Sequence, residues 1–145
     1  MKKMLLISFS NLKSDPRVKR QINYFKEFYE ITTVGLADSE IDNITHIDVS
    51  RSFKRLNFLI PLPKLLFGMF ESYYWNLEEI KLTIEKINGK QFDVIIANDA
   101  DALPVALKIK GNAKVIFDAH EYSPEENNDS FRWRILFKKY KTNLI

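Results

Sequence analysis

Phe92-Asp93-Val94-Ile95-Ile96-Ala97 runs straight into Asn98-Asp99-Ala100-Asp101-Ala102-Leu103-Pro104. The apolar half is continuous rather than alternating, as a parallel strand covered by helices on both faces requires. The polar half, with its acids and a proline, reads as a tight turn opening a short helix. Two further runs carry the same apolar signature, Met4–Phe9 and Lys114–Asp118. Ile31–Leu36, rich in β-branched residues, adds a fourth strand. Ile44–Val49 adds a fifth, alternating enough to belong nearer a sheet edge.

Helical patterns separate these runs. Asp15 followed by Pro16 predicts an N-cap and a first-turn proline, after which Val18, Ile22, Phe25 and Phe28 recur at helical spacing. Asn76 with Glu79 resembles a capping box ahead of a stripe of Leu77, Ile80, Ile84 and Ile87, and Gly89 stands where a left-handed C-cap belongs. Asp101 is expected to cap a helix reaching Lys110, with Gly111 ending it. A last helix, from about Phe131 to Tyr140, turns Phe131, Ile135, Leu136 and Tyr140 inward. Strand and helix in alternation predict an α/β fold: a doubly wound, mostly parallel, Rossmann-like sheet in one domain over residues 1–145.

Composition narrows the chemistry. A chain of 145 residues, 46% hydrophobic and 28% charged, has the balance of an ordinary globular domain. Zero cysteines exclude disulfides, thiolate metal sites and a cysteine nucleophile, and two histidines exclude a multi-histidine metal centre. No metal is expected. A net charge of +3 is too mild to argue for nucleic acid, and none is expected as a partner. Lys2-Lys3 before Met4–Ile7 imitates a signal peptide, but the apolar run ends at Ser8. Leu56–Phe70 is interrupted by Asn57, Pro61, Pro63 and Lys64 and is too short to span a bilayer. A cytoplasmic location is the expectation.

In open α/β sheets, ligands bind outside the carboxyl ends of the strands. The residues falling there are Ser8 to Asp15, Asn98 to Asp101 and Asp118 to Glu121, polar just where the strands are apolar. The first of these loops holds no glycine, so neither the dinucleotide fingerprint nor a phosphate-cradling loop exists, and nucleotide binding by this domain alone is not expected. Ser10 and Asn11 offer a hydroxyl and an amide suited to a polyhydroxylated ligand; the alternative is loop solubility and helix capping. His120 follows a strand directly and suits donation to a sugar hydroxyl or proton carriage; the alternative is a histidine satisfied by Asp118, Glu121 or a carbonyl. Asp99 and Asp101 face the same choice between ligand contact and helix capping.

Two charge features stand apart. Five acids between Asp118 and Asp129 precede five bases between Arg132 and Lys141, the pattern of a solvated loop running into a solvated helix face. Residues 51–67 mix Arg51, Lys54, Arg55 and Lys64 with large apolar groups such as Phe58. That mixture suits either a membrane interface, with Lys54, Arg55, Phe58 and Lys64 as the contacts, or core packing.

Taken in order, Asp15-Pro16-Arg17-Val18, Asn98-Asp99-Ala100-Asp101-Ala102-Leu103-Pro104 and Asp118-Ala119-His120-Glu121 resemble the amino-terminal half of a family 4-like glycosyltransferase, over nearly the whole chain. The resemblance implies a GT-B enzyme of two Rossmann-like domains that transfers sugar with retention and without a bound metal. The amino-terminal domain of such an enzyme binds the acceptor, here a glycan or lipid-linked acceptor in surface polysaccharide synthesis. The carboxyl-terminal domain binds the nucleotide-sugar donor, so no cofactor is expected in this domain.

By the resemblance His120 matches the histidine that contacts the transferred sugar and is the catalytic candidate. Asp99 matches a polar position at the cleft rim; Ser10, Asn11, Asp101 and Glu121 complete the expected acceptor site. Ser10-Asn11-Leu12-Lys13-Ser14 departs from the family's glycine-rich loop. The donor half is expected from chain beyond Ile145 or from a partner chain, and the 145 residues alone are expected to be inactive. Peripheral contact with the inner membrane face is a further expectation. The alternatives are the corresponding domain of a nucleotide-sugar 2-epimerase and a non-catalytic subunit of a split, two-chain transferase. A receiver-like scaffold is disfavoured, because the first loop lacks the acid cluster a receiver needs.

Overall fold

The computed structural model describes residues 1–50, 64, 67–119, 139, 140 and 142. Five strands form one sheet: β1 (Lys2–Ile7), β2 (Tyr29–Gly35), β3 (Thr45–Asp48), β4 (Val94–Asn98) and β5 (Lys114–Asp118), in the order β3-β2-β1-β4-β5. Every pairing is parallel, with Met4 opposite Ile31 and Val94 on either side and Asn98 opposite Asp118. Among the described residues, the helices with both ends defined are α1 (Pro16–Phe25), α2 (Phe70–Tyr74), α3 (Glu78–Ile87) and α4 (Leu103–Ile109). The fold is the Rossmann-like, doubly wound α/β arrangement read from the sequence.

β1 shows why its sequence is apolar throughout. Leu5 and Ile7 face one core, with Ile80 and Ile87 of α3 and Val105 and Ala106 of α4. Met4 and Leu6 face the other, with Val18 and Ile22 of α1 and Ile96 of β4. A central strand with helices on both faces has no solvent side on which to alternate. Truncating either face, by Leu6→Ala or Leu5→Ala, removes a fully buried side chain and costs about 2–5 kcal/mol.

β3 lies at one edge, as its alternation predicts. β5 lies at the other, which corrects the expectation of a strand buried on both faces: Ile116 is 49% exposed. An edge strand has a neighbour on one side alone, and its apolar run does not reveal that position. Phe28 is a second correction. α1 ends at Phe25, and Phe28 stands exposed in the following turn, close to the ring of Tyr24.

The caps divide. Asp15 caps α1 as expected, its carboxylate accepting from the amides of Arg17 and Val18 ahead of Pro16. Gly89 and Gly111 take the left-handed conformation, at φ 77° and 51°. Asn76 forms no capping box: α3 starts from Leu77, while Asn76 donates to the Ser72 carbonyl and accepts from Lys81 Nζ. Thr83 joins the buried face of α3 by donating its hydroxyl to the Glu79 carbonyl. α4 starts from Ala102, which has no side-chain cap, so the N-cap position falls on neither Asp99 nor Asp101. Of the predicted last helix, Tyr140 is described and buried, its ring 4.9 Å from that of Tyr73; Phe131, Ile135 and Leu136 lie outside the described residues. Among the described residues, no helix is long and apolar enough to cross a membrane.

Candidate functional site

β1 has β2 on one side and β4 on the other, so the loops leaving β1 and β4 turn away from each other over the carboxyl edge. That is the switch point at which open parallel sheets form a crevice. The loop of residues 8–15 leans toward β2: the Leu36 amide donates to the Ser10 carbonyl at 3.1 Å, and Leu12 is fully buried. Gly35 permits this closeness, since a Cβ there would lie 2.7 Å from Leu12 Cγ and 3.0 Å from the Ser8 carbonyl oxygen. Lys13 Nζ, 2.7 Å from Glu40 Oε1, ties the loop tip to the chain beyond β2.

A connected polar network spans the crevice. Ser10 donates its hydroxyl to Asp15 Oδ2 at 2.7 Å, and its Oγ lies 2.9 Å from Ser8 Oγ. With the Ser10 proton committed to Asp15, Ser8 is the donor in that second bond. Arg17, in the first turn of α1, forks onto Asp99: Nη1 donates to Oδ1 at 3.0 Å and Nη2 to Oδ2 at 2.7 Å. Its Nη2 also stands 4.0 Å from Asp15 Oδ2. Asp99 holds a left-handed φ of 69°, uncommon for a residue with a Cβ, and its amide donates to the Asp118 carbonyl at 3.2 Å. Gln21, one turn along α1, donates Nε2 to Asp118 Oδ2 at 2.7 Å.

The ionisation of this network follows from its contacts. Burial acts to raise the Asp15 pKa, but the Ser10 hydroxyl, the amides of Val18 and Arg17 and the Arg17 charge outweigh it, and the carboxyl sits below its ordinary range. The bond to Asp99 outweighs burial at Arg17 and raises its pKa, keeping the guanidinium charged. Asp15 also fills the amino end of α1, where an open dinucleotide fold would receive a ligand phosphate. A second anion there would meet a carboxylate already in place. Ser10, Asp15, Arg17 and Asp99 instead line the crevice as paired donors and acceptors, with Ser8 buried beneath them.

Beneath the network lies a buried polar layer. Val94 and Ile96 pack toward the core of α1, so alternation along β4 carries Asn98 to the same face. Asn98 is 1% exposed, and among the described residues neither its Nδ2 nor its Oδ1 has a hydrogen-bond partner; Gln21 Oε1 is likewise buried and unpartnered among them. Orphaned buried groups of this kind cost about 1–3 kcal/mol each.

The structure brings Ser10 and Asp99 into one network over the switch point, through Asp15 and Arg17. Asn11 is placed differently: its Oδ1 accepts from the Lys13 amide and its carbonyl from Ser14, so its side chain braces the loop. Asp101 precedes α4, with its carbonyl accepting from the Tyr74 hydroxyl at 2.7 Å. His120 and Glu121 lie outside the described residues, as do Lys54, Arg55 and Phe58; Lys64 is half-buried, with its carbonyl accepting from the Met69 amide. Among the described residues, no group of three or more His, Asp or Glu is arranged to hold a metal ion.

Arg17 and Gln21 are site residues to which sequence reasoning gave no role, and Asn98 was placed at the rim, at the head of the Asn98 to Asp101 turn, without a role of its own. Asn98 had a signal, a carboxamide closing an apolar strand; Gln21 had none beyond its place one turn after Arg17. No protein-family model, curated protein or solved structure matches this chain.

Proposed function

We propose that this domain binds the acceptor of a retaining GT-B glycosyltransferase, a glycan or lipid-linked acceptor, while an opposing lobe carries the nucleotide-sugar donor. The observation that carries the reading is the network joining Ser10, Asp15, Arg17 and Asp99 over the β1–β4 switch point. It presents hydroxyls and paired charges where sugar hydroxyls find both donors and acceptors. The same place lacks the glycine loop, and has the open helix end closed by Asp15, that a nucleotide phosphate would need. The acceptor hydroxyl is thus held at the rim, and His120, one residue beyond described Ala119 after β5, is the side chain we assign to the transferred sugar.

The test is transfer of labelled sugar from a nucleotide-sugar panel to membrane-extracted acceptors, using the protein together with the lobe that supplies the donor site. Transfer that falls more than tenfold in both Asp99→Ala and His120→Ala, with folding retained, supports the proposal. Epimerised free nucleotide sugar without transfer replaces it with the 2-epimerase reading, and an unchanged rate in His120→Ala removes that residue from the mechanism.

A further inference from the structure

Asn98 poses a physical question that the rim alone leaves open. Its carboxamide is closed off from solvent, bears two donors and an acceptor, and has no hydrogen-bond partner among the described residues. It ends β4 at the switch point, opposite Asp118, whose carboxylate takes one hand of Gln21 and leaves the other, Oε1, without a partner. Two carboxamides with unused capacity thus stand on the same side of the sheet, Asn98 at the end of β4 and Gln21 on α1, which packs over that face. Native interiors rarely leave such groups unmatched, and where they do, strain, a functional role, or a water or ion is the explanation to seek.

We propose that Asn98 and Gln21 form a hydroxyl-reading subsite, into which a polyol end of the ligand inserts between α1 and the carboxyl ends of β4 and β5. This rests on the acceptor reading of the rim. A sugar or inositol hydroxyl both donates and accepts, so it matches a carboxamide pair group for group. A phosphate, whatever donors its protonation leaves it, would bring negative charge to a layer that already holds Asp15, Asp99 and Asp118. Because Arg17 joins α1 to the residue directly after Asn98, the Arg17–Asp99 pair must part for the ligand to reach the carboxamides. Hydroxyls that accept from Arg17 and donate to Asp99 compensate for the parted bonds.

The experiment follows the side-chain amide signals of Asn98 and Gln21 by NMR in the 145-residue chain. The probes are glycerol, myo-inositol and methyl glucosides, with inorganic phosphate as the contrasting anion. The subsite predicts saturable movement of both signals with at least one polyol and none with phosphate. Asn98→Leu and Gln21→Met are each expected to weaken that polyol at least tenfold. Without ligand, Asn98→Leu is expected to melt no lower than the parent, because it removes a buried carboxamide without a partner among the described residues.

No response to any polyol, a response to phosphate, unaltered affinity in both variants, or a lowered melting temperature in Asn98→Leu each overturns the subsite. A polyol that binds the chain, with no transfer by the protein together with the lobe that supplies the donor site, upholds the subsite and sinks the acceptor reading. Transfer activity with unmoved carboxamide signals does the reverse.

Discussion

Arg17 and Asp99, separated by 82 positions in the chain, meet in a two-pronged ion pair that fastens the first turn of α1 to the end of β4. The fork is a guanidinium property, since lysine offers a point charge with no planar pair of donors. Asp99 is 40% exposed, so water screens part of the attraction. A double-mutant cycle of Arg17→Met and Asp99→Asn is expected to return a coupling of about 1 kcal/mol by urea denaturation. Arg17→Lys is expected to recover less than half of it. A coupling near zero would show that the pair does not fasten the crevice.

Asp15 links helix capping to ionisation. Its folded pKa lies below its ordinary value of 3.8, so its ionised form contributes stability that is present above that value and lost as pH falls through the folded pKa. Asp15→Asn keeps a capping oxygen but not the charge. Its melting temperature is expected to fall less steeply than the parent's below about pH 4. Asp15→Ala is expected to cost about 1 kcal/mol at neutral pH from the lost cap.

His46 acts in a higher window. Burial lowers its pKa below 6.5, against the pull of Asp38 and Asp48, while its Nδ1 bonds Thr33 Oγ1 at 2.9 Å and its Nε2 has no partner among the described residues. The unfolded chain therefore takes up a proton first as pH drops below 6.5, and stability declines from there toward the folded pKa. Thermal melts between about pH 7 and pH 5 are expected to slope less in His46→Gln than in the parent. An identical slope would place the titration elsewhere.

Gly35 sets how tightly the first loop packs. A methyl at 2.7 Å from Leu12 Cγ and 2.8 Å from Cδ1 forces Leu12 from its pocket or β2 from its neighbour. Gly35→Ala is expected to destabilise the fold by about 1–3 kcal/mol in urea, the usual range for overpacking. Since Leu12 anchors the loop carrying Ser10, its amide signals are expected to move as well.

Tyr74 is the matching anchor on the far side of β4. Its hydroxyl donates to the Asp101 carbonyl at 2.7 Å and accepts from the buried Val105 amide at 3.1 Å, joining α2 to the start of α4. Burial pushes its ionisation well above the ordinary tyrosine range, so it stays a neutral donor and acceptor. Tyr74→Phe leaves the Val105 N–H without its acceptor and is expected to cost about 1–3 kcal/mol, read from the denaturation midpoint.

The strands were legible because burial on both faces writes itself as an unbroken apolar run, and β1 and β4 follow that rule to within two residues at each end. The edge position of β5 was not legible, because Val115-Ile116-Phe117 is equally apolar whether the next layer covers it or not. Capping by Asp15 was legible, since it depends on the next three residues. The capping box at Asn76 was misread, because Ser72 and Lys81 compete for the same carboxamide. The rim was legible as a place, but its wiring was not: an Arg17–Asp99 fork or an orphaned Asn98 depends on where distant segments meet, which no local pattern encodes.

The central claim is that the rim takes a polyol acceptor and leaves the nucleotide to another lobe. Backbone-amide mapping tests it most directly, by titrating the chain with nucleotide sugars and, separately, with soluble glycan and inositol acceptors. The account predicts saturable shifts at Ser10, Arg17, Asn98 and Asp99 with an acceptor, and none at these positions with UDP- or GDP-sugars. Nucleotide-sugar shifts centred on Ser10 and Arg17, with the acceptors silent, would contradict it.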